Sequence, residues 1–180
     1  ILYWGTSQWS AAEIMEAHRV ADQHHLIGPT VEQPQYNMFE RFKMEQDYLP
    51  VFKNKGLGTT IWSPLGAGFL TGKYNDGVPA DSRLSLEGFD WLKERWVQET
   101  KIEKVKSLSA LASELGMSMA ALAIAWTLKN PHVTTTILGA TKETQLLENL
   151  KALDAQKLLT TEVMDRIDAI LSNKPFMDLA

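Results

Sequence analysis

Four short segments rich in β-branched and aromatic residues alternate with longer segments of helical periodicity, and this alternation limits the choice of fold more than any other feature. The segments have the composition of buried β-strands and span residues 1–4, 30–33, 57–62 and 134–138. Strands that alternate with helices pair in parallel through right-handed crossovers. The sequence therefore predicts an α/β fold, either an open sheet or half of a barrel. In both architectures, ligands collect at the carboxyl ends of the strands.

Capping residues and hydrophobic periodicity place the helices. Ser10 and Glu13 predict a capping box at the start of the first helix. The apolar face predicted for this helix carries Ile14, Ala17, Ala21 and His25. Thr161 is the predicted cap of the last helix. The remaining helices are predicted at residues 40–54, 101–115, 119–129, 142–152 and 161–173.

The segment of residues 74–100 is unusually long for a connection inside a compact domain. It contains Asn75-Asp76-Gly77, Pro79 and Gly88, which are turn-forming residues. Loops of this length are usually functional or carry secondary structure of their own. We therefore expect a lid-like region here, with a short helix at residues 90–98.

The stretch of residues 57–73 carries the most distinctive local chemistry. A strand ends at Trp62 and Ser63, because Pro64 has no N–H to donate to a sheet. A flexible loop containing Gly66 and Gly68 follows, and Lys73 places a cation at its far end. An aromatic face, a hydroxyl, a glycine loop and a lysine suit a flat ring joined to phosphates. On composition alone, an ordinary strand that ends in a turn explains the stretch equally well.

Composition excludes several classes of protein. The 180 residues are 44% hydrophobic and 22% charged, which is typical of one globular domain. A net charge of −4 argues against a nucleic-acid partner. No apolar run reaches the ~20 residues of a membrane span. The chain has no cysteine, which fits a cytoplasmic protein. Because it starts inside strand-like sequence, we expect an amino-terminal part to be missing.

Four motifs in order resemble the aldo-keto reductase superfamily. They are Tyr3-Trp4-Gly5-Thr6-Ser7, Val31-Glu32-Gln33-Pro34-Gln35-Tyr36-Asn37, Trp62-Ser63-Pro64-Leu65 with Leu70-Thr71-Gly72-Lys73-Tyr74, and Leu138-Gly139-Ala140-Thr141 with Gln145 and Glu148-Asn149. The sequence is most similar to the branch that contains the β subunits of voltage-gated potassium channels and their plant relatives. The resemblance implies a (β/α)8 TIM barrel. This chain would form its carboxyl-terminal half, strands five to eight, as a single domain over residues 1–180.

The resemblance also implies a site for NADPH or NADP+. Trp62 would lie against the nicotinamide ring, and Ser7 and Gln33 would bind its carboxamide. The remaining cofactor-binding residues that the resemblance implies are Ser63, Pro64, Leu65, Gly66, Lys73, Arg83, Gly139, Thr141, Gln145, Glu148 and Asn149. Small or absent side chains let a backbone approach the pyrophosphate at the glycine loop, including Gly68. Gln8 departs from the family, in which many members have Asn at this position.

The adenosine end also has an argument from the residues. Thr141 is predicted to open a helix, and helix amino termini attract anions. By resemblance, Thr141 and Gln145 meet the 2′-phosphate and Glu148 and Asn149 meet adenine. Lys73 and Arg83 would supply two cations that favour NADPH over NADH. Alternatively, Glu148 is a solvated helix charge, and Lys73 and Arg83 are surface residues of a loop.

The acid catalyst of the family comes from the other half of the barrel. Tyr3, Tyr36, Tyr48 and Tyr74 lie in no matching motif, nor do the four histidines, and His24-His25 is not a metal site because adjacent helical residues diverge. We therefore expect the chain alone to bind the cofactor without reducing carbonyls.

Three functions remain open. The first is an NADPH-dependent reductase of aldehydes or ketones, whose partner is a small carbonyl substrate. The second is a cytoplasmic, redox-sensing β subunit that binds a potassium channel α subunit, is peripheral to the membrane at most and forms homo-oligomers like its relatives. The third, an open-sheet nucleotide-binding domain, is disfavoured because no G-x-G-x-x-G follows the first strand.

Overall fold

A four-stranded parallel sheet organises the chain, and the computed structural model describes residues 1–176 of it. The strands are β1 (Gly5–Thr6), β2 (Val31–Glu32), β3 (Gly58–Ile61) and β4 (Thr135–Thr136), in the spatial order β1-β2-β3-β4. Gly5 pairs with Val31, Val31 with Gly58, and Thr60 with Thr135. The predicted α/β class with parallel strands is confirmed. Residues 177–180 of the predicted domain lie outside the described residues.

Eight α-helices are present in the described part of the chain. They are α1 (Ala11–Gln23), α2 (Leu49–Lys55), α3 (Asp90–Trp96), α4 (Glu99–Glu114), α5 (Met119–Leu128), α6 (Glu143–Leu150), α7 (Ala152–Ala155) and α8 (Thr161–Leu171). The capping box of Ser10 and Glu13 forms as predicted. Thr160, rather than Thr161, caps α8, because its side chain accepts the bond from the Val163 N–H.

The first predicted strand is wrong in its position. Ile1, Leu2 and Tyr3 are exposed rather than buried, and the strand forms at Gly5–Thr6 instead. Only Trp4 joins the pairing, through its carbonyl, which accepts a 2.9 Å bond from the Thr30 N–H. Apolar composition predicted burial here, but these side chains find no cover within residues 1–176. His25 is also off the predicted helix face, because α1 ends at Gln23 and His25 has a φ of +54°.

The helix predicted at residues 40–54 is broken in two. A π-helical segment, Lys43–Asp47, precedes α2, and the Tyr48 N–H bonds to the Lys43 carbonyl at 2.9 Å. Pro50 lies in the first turn of α2. Because proline donates no N–H to the preceding turn, a continuous α-helix is interrupted at that point. The end at Gly56 is as predicted, with a left-handed φ of +63°.

Helix α5 forms the centre of the core. Its residues from Met119 to Thr127 are all buried, which confirms the prediction from its uniform apolarity. It contacts α4, α6 and α7. Trp126 near its end packs against Tyr36 in a tilted arrangement, with ring centroids 5.1 Å apart. Within residues 1–176 no single helix has the length and hydropathy of a membrane span; α4 and α5 meet those criteria only as a pair bent by 91°.

A buried arginine in the segment between β2 and α2 links that segment to the last helix, α8. Arg41 is only 5% exposed, and its guanidinium pairs with Glu45 and Asp168, both at 2.8 Å. The same guanidinium lies 5.1 Å from the centre of the Trp126 ring. Burial opposes ionisation of Asp168, but hydrogen bonds from Lys174 and Arg41 outweigh it and lower the pKa of this carboxyl. Arg41 thus fixes α8 against the core.

Replacing Arg41 should destabilise the protein strongly. In Arg41→Met, the apolar contact with Trp126 is kept, but Glu45 and Asp168 lose their cation. We expect the free energy of unfolding, measured by urea denaturation at pH 7, to fall by about 3 kcal/mol. In the matched variant Arg19→Met, which removes an exposed pair with Glu16, the loss should stay below about 1 kcal/mol. Equal losses would contradict a structural role for Arg41.

The difference between wild type and Arg41→Met should also depend on pH. Because the folded-state pKa of Asp168 lies below its unfolded value, its contribution is complete above about pH 4 and disappears as the pH falls through the folded pKa. The two proteins should therefore converge in stability on acidification.

Candidate functional site

Three side chains that sequence analysis singled out lie along one edge of the sheet. Ser7, Gln33 and Trp62 follow the carboxyl ends of β1, β2 and β3. The Ser7 hydroxyl donates to the Gln33 carbonyl at 3.0 Å, and the Gln33 amide side chain reaches the Thr60 hydroxyl at 3.5 Å. The backbone N–H of Trp62 donates to the Pro34 carbonyl at 3.0 Å, so the pairing of β3 with the β2 side of the sheet continues one residue beyond β3. The structure thus brings Ser7 and Gln33 into contact beside the strand that carries Trp62.

The loop after Trp62 is compact. Backbone bonds of 3.0 Å run from Gly66 to Ser63, from Gly68 to Leu65 and from Leu70 to Leu65, and Pro64 is buried beneath them. Asn37 anchors the loop by donating to the Ser63 carbonyl at 3.0 Å. These bonds use neither the Leu65 nor the Ala67 amide, so both N–H groups are suited to an anion.

Packing, in addition to any ligand, explains why position 66 is glycine. A Cβ at Gly66 would lie 2.7 Å from the Trp96 indole of α3, and Gly66 has a φ of +53°. Trp96 is itself buried and lies edge-on to Phe39. Sequence analysis associated Gly66 with the approach of a pyrophosphate and did not identify Trp96. The partner was missed because it comes from a helix whose packing no local pattern reveals.

Lys73 and Arg83 carry charges that are free to meet an anion. The Lys73 ammonium lies 5.0 Å from the centre of the Tyr74 ring, and the Arg83 guanidinium lies 5.4 Å from that of Phe89. Both side chains are exposed, and neither pairs with a carboxylate of residues 1–176. Aromatic contacts therefore support the two cations without neutralising them.

Residues of the predicted adenosine end follow β4. The Ile137 N–H donates to the Ile61 carbonyl at 2.9 Å, so the chain enters the segment of Gly139 and Thr141 from a position beside the end of β3. The Thr141 N–H donates to the Gln145 side chain at 2.9 Å, so these two residues are in contact. Helix α6 begins at Glu143 with Lys142 as its cap, so Thr141 precedes the helix rather than opening it.

Glu148 and Asn149 lie on α6 in different environments. Glu148 pairs with Lys151 at 2.6 Å, and hydrogen bonds from Lys151 and then Ser118 lower the pKa of its carboxyl. Asn149 is 5% exposed. The salt bridge with Lys151 agrees with the alternative in which Glu148 is a solvated charge on the helix surface.

The segment of residues 74–100 folds against the sheet edge. It contains a 3₁₀ turn, Arg83–Ser85, and helix α3, which matches the predicted helix at 90–98. Arg95 of α3 donates to Glu40 at 2.7 Å and to Gln35 at 3.2 Å. The contacts of Arg95 with Gln35 and Glu40 were not predicted from sequence, because separations of 60 and 55 residues leave no local pattern.

Tyr36 and Tyr48 are poor proton donors in catalysis. Tyr36, Tyr48 and Tyr74 are buried. Burial first, and then neighbouring carboxylates, raise the pKa of the Tyr36 and Tyr48 phenols. A general acid works best when its pKa lies near the operating pH, which is the opposite shift. Among residues 1–176, no cluster of three or more histidine, aspartate or glutamate side chains could hold a metal ion.

Comparison with known proteins identifies close relatives. The family model described as Aldo/keto reductase family matches residues 1–172. A "Probable voltage-gated potassium channel subunit beta" of Oryza sativa subsp. japonica is 53% identical over 96% of this chain and 53% of its own length. A protein of the same description from Arabidopsis thaliana is 51% identical over 96% of the chain and 53% of its own length. A "Putative voltage-gated potassium channel subunit beta" of Schizosaccharomyces pombe is 47% identical over 96% and 51%. The chain spans about half the length of these curated relatives.

Substitution of Gly66 should disturb the loop through two separable effects. Gly66→Ala introduces a left-handed non-glycine residue and a clash with Trp96, and we expect the free energy of unfolding to fall by about 2–4 kcal/mol. The control Gly116→Ala has a φ of +70° but nothing within 4 Å of the new Cβ. It should lose only the strain, about 1–2 kcal/mol, in the same urea titration. A Gly66→Ala loss no larger than that of the control would contradict the packing explanation.

Proposed function

Because this chain belongs to the aldo/keto reductase family, we propose that it binds NADPH or NADP+ along the carboxyl edge of its sheet. The observation that carries the proposal is the convergence of Ser7, Gln33 and Trp62 at the ends of three adjacent parallel strands. Hydroxyl and amide groups beside an indole suit a nicotinamide carboxamide and its flat ring. In this arrangement, Trp62 covers one ring face and leaves the other open for hydride transfer.

The phosphates would bind further along the same edge. The loop of Ser63, Pro64, Leu65 and Gly66 would bind the pyrophosphate, with the unused Leu65 and Ala67 N–H groups as donors. Lys73 and Arg83 offer unpaired charges. Thr141 and Gln145 would meet the 2′-phosphate, Glu148 and Asn149 would meet adenine, and Gly139 would line the approach. For Glu148, this requires exchange of the Lys151 salt bridge for an adenine contact.

The proposed reaction is reduction of aldehydes or ketones by hydride transfer from NADPH. The chain would be strands five to eight of a (β/α)8 barrel, a single domain over residues 1–180 with residues 74–100 as a lid. We place it in the cytoplasm. The acid catalyst would come from the half of the barrel that these residues do not include, since Tyr36, Tyr48 and Tyr74 are buried.

A second function is favoured by the relatives, whose descriptions name potassium channel β subunits. In this role, NADPH occupancy would regulate a channel α subunit at the cytoplasmic face, with little turnover and with homo-oligomers as the binding unit. The two functions share one cofactor site and differ in turnover.

Removal of Arg83 should discriminate between the two nicotinamide cofactors. Hydrogen bonds to charged groups contribute about 1.5–3 kcal/mol, so Arg83→Ala should raise the Kd of NADPH roughly 10- to 100-fold. The Kd of NADH, measured by the same fluorescence titration, should change less than about twofold. Lys93→Ala, which removes an exposed cation of α3, is the matched control and should change neither value. Equal weakening of NADPH and NADH by Arg83→Ala would remove the 2′-phosphate assignment.

Turnover should separate the reductase from the channel subunit. The chain alone should bind NADPH without carbonyl-dependent oxidation. Co-expressed and co-purified with the part of the rice relative outside the matched 53%, it should reduce aldehydes at a rate near the ~10 s⁻¹ of ordinary enzymes. A complex that binds NADPH yet turns over far more slowly would favour the regulatory function.

A further inference from the structure

The loop that carries Ser7 is held by side chains from outside the predicted cofactor site. Gln8 in this loop has a φ of +63°, a conformation that is strained for a residue other than glycine. The Tyr48 hydroxyl donates to the Trp9 carbonyl at 2.6 Å. The Lys43 ammonium donates to the carbonyls of Gln8 and Trp9, the latter at 3.0 Å. The π-helical region thus fixes the backbone directly after Ser7.

A buried carboxylate occupies the same region. Glu32 is fully buried, and it accepts a hydrogen bond from the Thr6 hydroxyl. The Tyr48 oxygen, whose one proton goes to the Trp9 carbonyl, lies 3.5 Å from the Glu32 carboxyl group. No cation of residues 1–176 forms an ion pair with it. A buried polar group is costly unless it is hydrogen-bonded. The Thr6 hydroxyl is therefore bonded to Glu32, and the Tyr48 hydroxyl packs beside Glu32 while it is bonded to the Trp9 carbonyl.

Strand geometry connects this network to the cofactor site. Successive side chains of a strand point to opposite faces of a sheet. Thr6 and Glu32 lie on the face covered by helices, whereas the next residues, Ser7 and Gln33, lie on the open face. The bond between Thr6 and Glu32 on the covered face therefore lies one residue before the bond from the Ser7 hydroxyl to the Gln33 carbonyl.

The Tyr48 hydroxyl is a constant hydrogen-bond donor. Burial, followed by the charges of Glu32 and Asp47, raises the pKa of its phenol. The phenol therefore keeps its proton at neutral pH and donates it to the Trp9 carbonyl, with Glu32 3.5 Å from its oxygen.

We propose that Tyr48 and Glu32 are positioning residues that hold Ser7 and Gln33 at the spacing required by the nicotinamide carboxamide. This inference rests on the proposed function, since it assigns a role at the same site. The two residues touch no cofactor. They act through the Ser7 loop and through the backbone of β2.

The alternative is that Tyr48 and Glu32 only stabilise the core. Binding measurements with two ligands distinguish this role from the positioning role. NADPH engages the nicotinamide and adenosine ends, whereas adenosine 2′,5′-bisphosphate engages only the adenosine end. A loss of global stability weakens both ligands alike. A displaced Ser7–Gln33 pair weakens NADPH alone.

The test compares Tyr48→Phe with Tyr36→Phe in the full chain. Both changes remove one hydroxyl from a buried tyrosine that lies beside a glutamate, but Tyr36 contacts Glu45 and Asn130 and not the Ser7 loop. Tyr48→Phe should raise the Kd of NADPH about three- to tenfold and leave that of the bisphosphate within about twofold. Tyr36→Phe should change neither Kd. Melting temperatures are recorded for each variant.

A second pair of variants covers the case in which Tyr48→Phe does not fold. Thr6→Val removes the hydroxyl bonded to Glu32 and should reproduce the selective loss, whereas Thr6→Ser keeps it and should bind like wild type. Parallel weakening of both ligands, or an unchanged NADPH Kd in Tyr48→Phe and Thr6→Val, overturns the positioning role. Failure of wild type to bind either ligand overturns the proposed function itself, and the positioning role with it.

Discussion

The parallel register of β1, β2 and β3 is the constraint on which the rest of the structure depends. In this register, Gly5 pairs with Val31, and Val31 pairs with Gly58. Because side chains alternate between faces, a slip of one residue in any strand would exchange its two faces. Thr59 and Ile61 would then leave the core, and Thr60 and Trp62 would enter it. The same pairing that buries the apolar side chains therefore also places Ser7, Gln33 and Trp62 on the open edge.

Much of this arrangement could be predicted from sequence because its causes are local. The alternation of strands and helices, the capping box at Ser10, and Gly56 at the end of α2 all depend on residues close in the chain. The resemblance to a family supplied the roles of the edge residues, which composition alone left open. These are the features in which short-range preference and the final fold agree.

The remaining features depend on contacts between distant residues. Arg41 meets Asp168 across a separation of 127 residues, and Gly66 is required by an indole from α3. Residues 1–4 have strand composition, but composition does not tell which surface covers a strand. The break near Pro50 could have been anticipated, because proline was visible inside the predicted helix and its effect on the preceding turn is general.

The absence of a side chain at Gly68 has a consequence for the neighbouring cation. The Lys73 Nζ and Cε atoms lie 3.1 Å from the place that a Cβ of residue 68 would occupy. The lysine chain therefore crosses the space that glycine leaves empty, and its ammonium comes to rest over Tyr74. The position of that positive charge therefore depends on the size of a residue five positions earlier, which carries no charge itself. A methyl group at position 68 would strain a backbone with a φ of +87° and would require the end of the lysine chain to shift by a few tenths of an ångström.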